Sequence, residues 1–204
     1  CLHALCETVA IPVTVKTRIG VDDFDSLAFL ENFVATVAES GVTVFIIHAR
    51  KAWLKGLSPK QNREIPPLDY ERVHHLRHNF PDLKFVLNGG LTEVGQCLAE
   101  LERVDGIMLG RAAYQDPWIL ADLGRRLGQT VATSRQAVIE VMAEYAAAHI
   151  ANGGRFQQVA RHMLGLFHAR PGAKRWRQVL SQNMHRPGVG PELLFEACPE
   201  RAAA

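Results

Sequence analysis

The sequence predicts an α/β protein in which a parallel sheet is followed by a small all-helical domain. Four short apolar segments recur along the first part of the 204-residue chain, and a segment of helical period follows each of the first three. Beyond about residue 121, only helical patterns remain. Continuous apolar strands that alternate with amphipathic helices are typical of a parallel sheet covered by helices.

The sheet elements follow one another at the spacing of βαβ units. The predicted strands are 11–16, 42–48, 84–88 and 106–109. The predicted helices between them are 25–40, 69–79 and 93–101. In the first of these helices one face carries Leu27, Leu30, Phe33, Val34, Val37 and Ala38. Gly41 is expected to end that helix.

Four strands alone would leave two exposed parallel edges, which favour aggregation. A (β/α)₈ barrel needs eight strand–helix units. An open α/β fold remains an alternative, but we favour the C-terminal half of a (β/α)₈ TIM barrel at 1–123, with the N-terminal half absent. The chain starts at Cys1, without a Met and inside a helix-like stretch, as expected for a piece of a longer protein.

The all-helical domain is predicted at 134–195, after a linker near 124–133. Its helices are predicted at 134–150, 156–168 and 172–184, and Ser134 is a suitable N-cap for the first. The Pro/Glu/Ala-rich end, 196–204, is expected to be disordered.

Composition excludes several classes of protein. The four cysteines are scattered without a CxxC pair, so we expect no disulfide framework, no metal site and a reducing cytoplasm. No apolar run reaches the roughly 18 residues that span a bilayer, so no membrane association is expected. The charge is divided unevenly: residues 1–118 carry 12 Lys and Arg against 15 Asp and Glu, whereas residues 119–204 carry 11 against 6.

Polar residues or glycines stand at every predicted strand end, where barrels carry their active sites. They are Lys16, Arg18, His48, Arg50, Asn88, Gly89, Gly90, Gly110 and Arg111. Glycines let backbone N–H groups approach an anion, and a guanidinium adds a fork of donors. The two turns therefore predict a phosphate site. The alternatives are a plain tight turn at Gly89-Gly90, a salt bridge of Lys16 with Asp22 or Asp23, and a structural His48.

Two basic regions suit a polyanion. The segment 50–67 is too long for a connector and combines Trp53 with five Lys or Arg against one acid, Glu64. A solvated charged loop is the alternative. The segment 155–186 holds no acid in 32 residues. There we interpret Lys174, Arg175 and Arg177 as phosphate contacts and Trp176 as a core residue.

Taken together, these motifs resemble the tRNA-dihydrouridine synthases, specifically the A subfamily. The motifs are PVTVKTRIG, FIIHARKAWLKGLSPKQNREIPPL, NGGL, DGIMLGRAAYQDPW and HMLGLFHARPGAKRWR, within about residues 8 to 186. Thr17 departs from the commoner Lys-His-Arg form of the first motif.

The resemblance implies an FMN-binding barrel with a helical tRNA-binding domain that reduces uridine in the tRNA D-loop, at positions 20 and 20a. NADPH would reduce the flavin, a hydride would then pass to C6 of uracil, and an acid would protonate C5. The family's FMN contacts map onto Lys16, His48, Asn88, Gly89, Gly90, Gly110 and Arg111. Its RNA contacts are expected at Arg18, Arg50, Lys51, Gln61, Asn62, Arg63, Glu64, Lys174, Arg175 and Arg177.

One departure concerns the catalytic acid. The family's proton donor is a cysteine in a Gly-Cys-Pro motif upstream of the first strand, and this chain has none. We therefore expect no catalytic residue in the chain, no activity from it alone, and a monomer when the protein is full length. An FMN barrel acting on a small molecule and a non-catalytic tRNA-binding remnant remain alternatives.

Overall fold

The computed structural model describes residues 1–199 and divides into two compact units. The first unit, Cys1–Gly110, holds a four-stranded sheet, and the second begins at Arg111. The strands are β1 (Thr14–Arg18), β2 (Val44–His48), β3 (Lys84–Asn88) and β4 (Gly106–Met108). All neighbouring pairs are parallel, in the order β1-β2-β3-β4. The predicted α/β class with a parallel sheet is thus confirmed.

Helices cover one face of this sheet. They are α2 (Leu27–Ala38), α3 (Glu71–Asn79) and α4 (Val94–Leu101), whereas the short helix α1 (Leu2–Thr8), which precedes the sheet, buries none of its residues. Phe45 and Phe85 on this face are fully buried, and their rings stack at 5.8 Å. On α2, Leu30, Val34 and Val37 are buried as predicted, but Phe33 is 36% exposed.

The first strand differs most from the sequence prediction. It was predicted to begin at residue 11 and to end at Lys16, but it begins at Thr14 and continues to Arg18. Pro12 has no N–H to donate to a ladder, so pairing begins beyond it. Thr17 and Arg18 extend the ladder because they pair with Ile47 and His48.

The second unit is all-helical within its described residues. Its helices are α5 (Arg111–Gln115), α6 (Trp118–Arg126), α7 (Arg135–Ala151), α8 (Phe156–Ala160), α9 (Ala173–Asn183) and α10 (Glu192–Ala197). Trp176 is fully buried in its core, as predicted. The Trp176 indole donates a hydrogen bond to the Met163 carbonyl at 2.9 Å and its ring lies 4.9 Å from that of Phe167.

Three predictions in this unit were wrong in detail. The helix expected at 156–168 ends at Ala160 and gives way to turns, in which the amides of His162 and Met163 bond to carbonyls three residues back. The linker expected from 124 begins inside α6, which reaches Arg126. Part of the expected disordered end is ordered, since Ala197 and Cys198 are buried. Residues 200–204 lie outside the described chain.

Nowhere in residues 1–199 does a helix combine the length and apolar composition needed to cross a bilayer. The same residues gather no group of three or more His, Cys, Asp or Glu side chains that could hold a metal ion.

Candidate functional site

The register of the sheet brings four side chains into one row at the carboxyl ends of the strands. Arg18 pairs with His48, His48 with Asn88, and Asn88 with Met108. Because side chains alternate along a strand, these residues share the face opposite to the buried Ile47 and Leu87. Lys16 shares this face but lies two residues earlier, in register with Ile46. The structure therefore groups His48 with Asn88 as predicted and brings Arg18 beside them, a step beyond Lys16.

His48 is the single buried polar residue of the described chain, with 9% of its surface exposed. Its imidazole packs against the backbone of Gly89. A Cβ at Gly89 would lie 2.6 Å from Cδ2 and 3.0 Å from Nε2 of His48. Gly89 also has a φ of +110°, which disfavours any other residue. A glycine is therefore required here for two independent reasons.

The turn after β3 is fastened from both sides. The Asn88 side-chain amide donates to the Met108 carbonyl at 2.7 Å, and the Tyr70 hydroxyl donates to the Gly89 carbonyl at 2.6 Å. Burial, with a further contribution from Glu100, raises the pKa of Tyr70, so its phenol remains a donor. Among the hydrogen bonds described for residues 1–199, none is donated by the amides of Gly90 and Leu91. Those two N–H groups are available to an anion.

Gly110 follows β4 at the same edge of the sheet. A Cβ there would meet no atom within 4 Å, and Gly110 is not among the glycines of positive φ. Neither packing within the chain nor backbone conformation therefore demands a glycine at this position. Arg111, the next residue, begins α5 and has an exposed side chain.

A pocket of about 600 Å³ opens beside β1. Its polar lining includes Lys16, Arg18, His48 and Arg63, and its apolar wall includes Phe29 and Phe33. Burial and the neighbouring Arg18 lower the pKa of Lys16. Burial, followed by repulsion from Arg50 and Arg63, lowers the pKa of Arg18. Such a concentration of like charges is relieved when an anion binds.

The long loop 50–67 is tied to the sheet through side chains that were predicted to contact RNA. Arg18 donates from Nη1 to the carbonyls of Lys51 (2.9 Å) and Asn62 (2.8 Å). Arg50 donates to the carbonyls of Glu64 and Pro66. The Lys51 ammonium lies 2.8 Å from a carboxylate oxygen of Asp25.

The other predicted residues of the loop differ in their surroundings. Asn62 accepts from the Trp53 amide at 2.8 Å and donates to its carbonyl, whereas Gln61 accepts from the Ser58 amide. Arg63 and Glu64 are exposed.

In the second unit, the three predicted cations of α9 are not equivalent. Lys174 and Arg177 are exposed. Arg175 donates to the carbonyls of Ala197 (3.2 Å) and Glu196 (3.0 Å), where it caps the last turn of α10.

Cys6 lies away from the strand-end row. Cys6, on α1, has its Sγ 3.7 Å from the Cβ position of Gly41, which precedes β2. It therefore lies at the amino ends of the strands, opposite the edge that carries His48. Cys1 is exposed and Cys97 and Cys198 are buried.

Two residues of the site were missed by sequence reasoning. Tyr70 holds the Gly89 carbonyl, and Leu68 covers the turn, since a Cβ at Gly90 would lie 2.4 Å from its Cδ1. Leu68 directly follows the long loop and Tyr70 lies at the start of the helix predicted at 69–79, and neither position carries a sequence signal for contact with the turn.

Known proteins resemble this chain over almost its whole length. The model of the dihydrouridine synthase (Dus) family matches residues 1–202. The tRNA-dihydrouridine(20/20a) synthase of Shewanella oneidensis is 53% identical over 196 residues, which are 95% of this chain and 58% of that protein. Its counterpart in Vibrio vulnificus is 48% identical over 97% of this chain and 61% of its own length.

The chain thus spans about three-fifths of the length of these curated relatives. Among solved structures, a crystal structure of mandelate oxidase matches 96% of this chain and 63% of that one, at 13% identity and a TM-score of 0.38. That score is too low to support an argument.

Proposed function

Since the chain belongs to the dihydrouridine synthase family, we propose that it is the C-terminal part of an FMN-dependent enzyme that reduces uridine to 5,6-dihydrouridine in the D-loop of tRNA. Its relatives are named for positions 20 and 20a, and we assign the same positions and NADPH as the electron donor. The observation that carries the proposal is the strand-end row beside a glycine turn with two available amides.

The residues at this edge fit FMN. Gly89, Gly90 and Gly110, with Arg111 next in the chain, would hold the phosphate, and His48 and Asn88 would contact the cofactor from neighbouring strands. Gly110 supports this assignment, because close approach of a ligand explains a glycine that nothing among residues 1–199 requires. When bound, FMN would supply the hydride that uracil receives at C6. Lys16 would stabilise negative charge on the reduced ring.

Two basic surfaces would bind the tRNA. The first is the loop 50–64 with Arg18, and the second is α9 with Lys174 and Arg177. A small-molecule enzyme has no use for an acid-free basic stretch of this length, which is why we favour RNA as the substrate.

We propose that residues 1–123, which include the first unit, form half of a (β/α)₈ barrel, and that 134–195 is the tRNA-binding domain. The four parallel strands in consecutive order support the half-barrel, because each pairs with the next as in a barrel wall. The cytoplasm is the compartment in which the tRNA substrate and a reduced thiol set would be found.

We further propose that this chain alone is inactive. Cys6 lies at the opposite edge of the sheet from the row, and no other cysteine precedes β1 except the exposed Cys1. A proton donor for C5 of uracil would come from a Gly-Cys-Pro segment encoded upstream.

The test separates binding from chemistry. The 204-residue chain should shift unmodified tRNA in a gel with steep salt dependence, and should add no hydrogen to uridine by mass spectrometry of digested tRNA. Dihydrouridine formation by this chain would refute the inactivity. Failure to bind tRNA at low salt, with FMN binding intact, would favour a small-molecule oxidoreductase instead. A reading frame upstream of the Cys1 codon that lacks Gly-Cys-Pro would favour the non-catalytic remnant.

A further inference from the structure

We propose that Leu54 is an apolar wedge that enters the base stack of the RNA and helps to extrude the target uridine. This inference rests on the proposed RNA substrate and names a residue for a step that the substrate imposes. A base inside a folded RNA must leave its stack before an enzyme can act on it. Apolar side chains inserted between neighbouring bases are a known physical means of unstacking them.

The backbone is held at Leu54 and at the residue before it. The Leu54 amide donates to Oδ1 of Asp22 at 2.8 Å, which ties the residue to the segment after β1. The preceding residue, Trp53, is bonded through both its amide and its carbonyl to the side chain of Asn62. Asn62 is in turn held through its own carbonyl by Arg18. The loop therefore presents Leu54 from a set position, and ordering it costs the complex little entropy.

The side chain of Leu54 projects away from this frame. It is 70% exposed, whereas its neighbours Trp53 and Leu57 are partly buried. Single exposed leucines are common on protein surfaces. Leu54 differs because its own backbone and the residue before it are hydrogen-bonded into the fold. Four hydrogen bonds hold the backbone in a position that exposes the apolar Leu54 side chain to water. Exposing it is unfavourable in the free protein, and burial in a complex would remove that cost.

The charges near Leu54 include both signs, since Asp22 accepts from its amide and Lys51 is paired with Asp25, but apart from Glu64 the exposed charged side chains beyond Leu54 in the loop are cationic. Lys55 and Lys60 are exposed, and the Lys51 ammonium lies 5.8 Å from the centroid of the Trp53 ring. Glu64 is the one acid between Arg50 and Pro67. Phosphates on either side of an opened base step would meet the exposed ammonium groups of Lys55 and Lys60. An apolar tip with flanking cations therefore fits the base stack and backbone of RNA better than it fits an apolar protein surface.

The experiment places the fluorescent base 2-aminopurine next to the target uridine in a D-loop transcript. Its fluorescence rises when it loses its stacking neighbours, and anisotropy of the same complex gives the affinity. With the 204-residue chain we expect the rise on binding, and we expect Leu54→Ala to reduce the unstacked fraction by about tenfold, since burial of a leucine is worth at least that factor. The affinity should change much less, because the cations remain.

Two variants serve as controls. Leu54→Met keeps an apolar wedge and should keep the rise. Leu120→Ala makes the same truncation at a leucine that is 50% exposed on α6 and should behave as wild type. The proposal is overturned if Leu54→Ala unstacks the base as well as wild type does, or if wild type binds without any rise. Absence of tRNA binding by wild type would overturn the proposed substrate and the wedge with it.

Discussion

A series of three Gly→Ala variants tests how the glycine turn beside His48 is built. Gly110 is not among the glycines with a positive φ, and the space around its Cβ position is open. Gly56 has a φ of +82° but equally open space, and Gly89 has both a φ of +110° and the His48 ring 2.6 Å from its Cβ position. Alanine at Gly110 therefore adds no strain, and alanine at Gly56 adds backbone strain alone. Alanine at Gly89 adds backbone strain and a steric clash with His48.

The magnitudes follow from these differences. Gly110→Ala should leave stability unchanged or raise it by up to about 1 kcal/mol, because alanine restricts the unfolded chain. Gly56→Ala should cost about 1–2 kcal/mol for the left-handed backbone. Gly89→Ala should lower the free energy of unfolding by about 1–3 kcal/mol more than Gly56→Ala does, because the buried imidazole of His48 must move, as in other overpacked sites.

Native-state hydrogen exchange at the amides of Phe45 and Phe85 is the suitable assay, because these strand residues are fully buried and report opening of the first unit. The reasoning is refuted if Gly56→Ala and Gly89→Ala destabilise the unit equally, since His48 would then not pack against Gly89. It is refuted equally by a large loss in Gly110→Ala. Flavin fluorescence on the same proteins tests the site: Gly110→Ala should weaken FMN binding while remaining stable.

Three further outcomes are expected. Trp176→Ala should cost the second unit about 3–5 kcal/mol in urea unfolding followed by circular dichroism, because it empties the centre of the core. Arg177→Gln should lower the slope of log affinity for tRNA against log salt by about 0.7–0.9 without changing the melting temperature, whereas Arg175→Gln should lower the melting temperature because it frees two carbonyls of α10. The Lys51 hydrogen bond holds the pKa of Asp25 below its ordinary value, so its stabilisation exists above the unfolded-state pKa and is lost as pH falls through the folded-state pKa. The stability difference between wild type and Lys51→Gln should therefore be present at neutral pH and disappear in acid, once the pH has fallen through the lowered folded-state pKa of Asp25.

The alternation of strands and helices in the first unit could be predicted from the sequence because it depends on local patterns. β3 coincides with its prediction at residues 84–88, and β2 and β4 fall within theirs, since apolar runs between turn residues specify buried strands. The predicted start of β1, at residue 11, was too early. The segment there is apolar, but Pro12 has no N–H to donate to the sheet. The early end of α8 was not predicted because the apolar residues that follow it, Met163, Leu166 and Phe167, are buried from turns and not from a helix.

The candidate site divides in the same way. His48, Asn88 and the following glycines could be predicted, because parallel strands bring their carboxyl ends to one edge. The row that joins Arg18 to His48 could not, because it depends on the register between strands. The sequence also could not show that the side chains of Arg18, Arg50 and Asn62 donate hydrogen bonds to carbonyls of the loop, because a basic composition does not say which carbonyls lie nearby. Whether those residues also contact RNA stays a prediction.

The strand order has a consequence for synthesis of the protein. Each strand of the sheet pairs with the one translated just before it, at separations of 30, 40 and 20 residues for Thr14↔Val44, Val44↔Lys84 and Val86↔Gly106. Within residues 1–199, every strand pairing joins strands that are consecutive in the chain. The sheet can therefore be assembled in step with elongation, each new strand docking on an edge that is already in place.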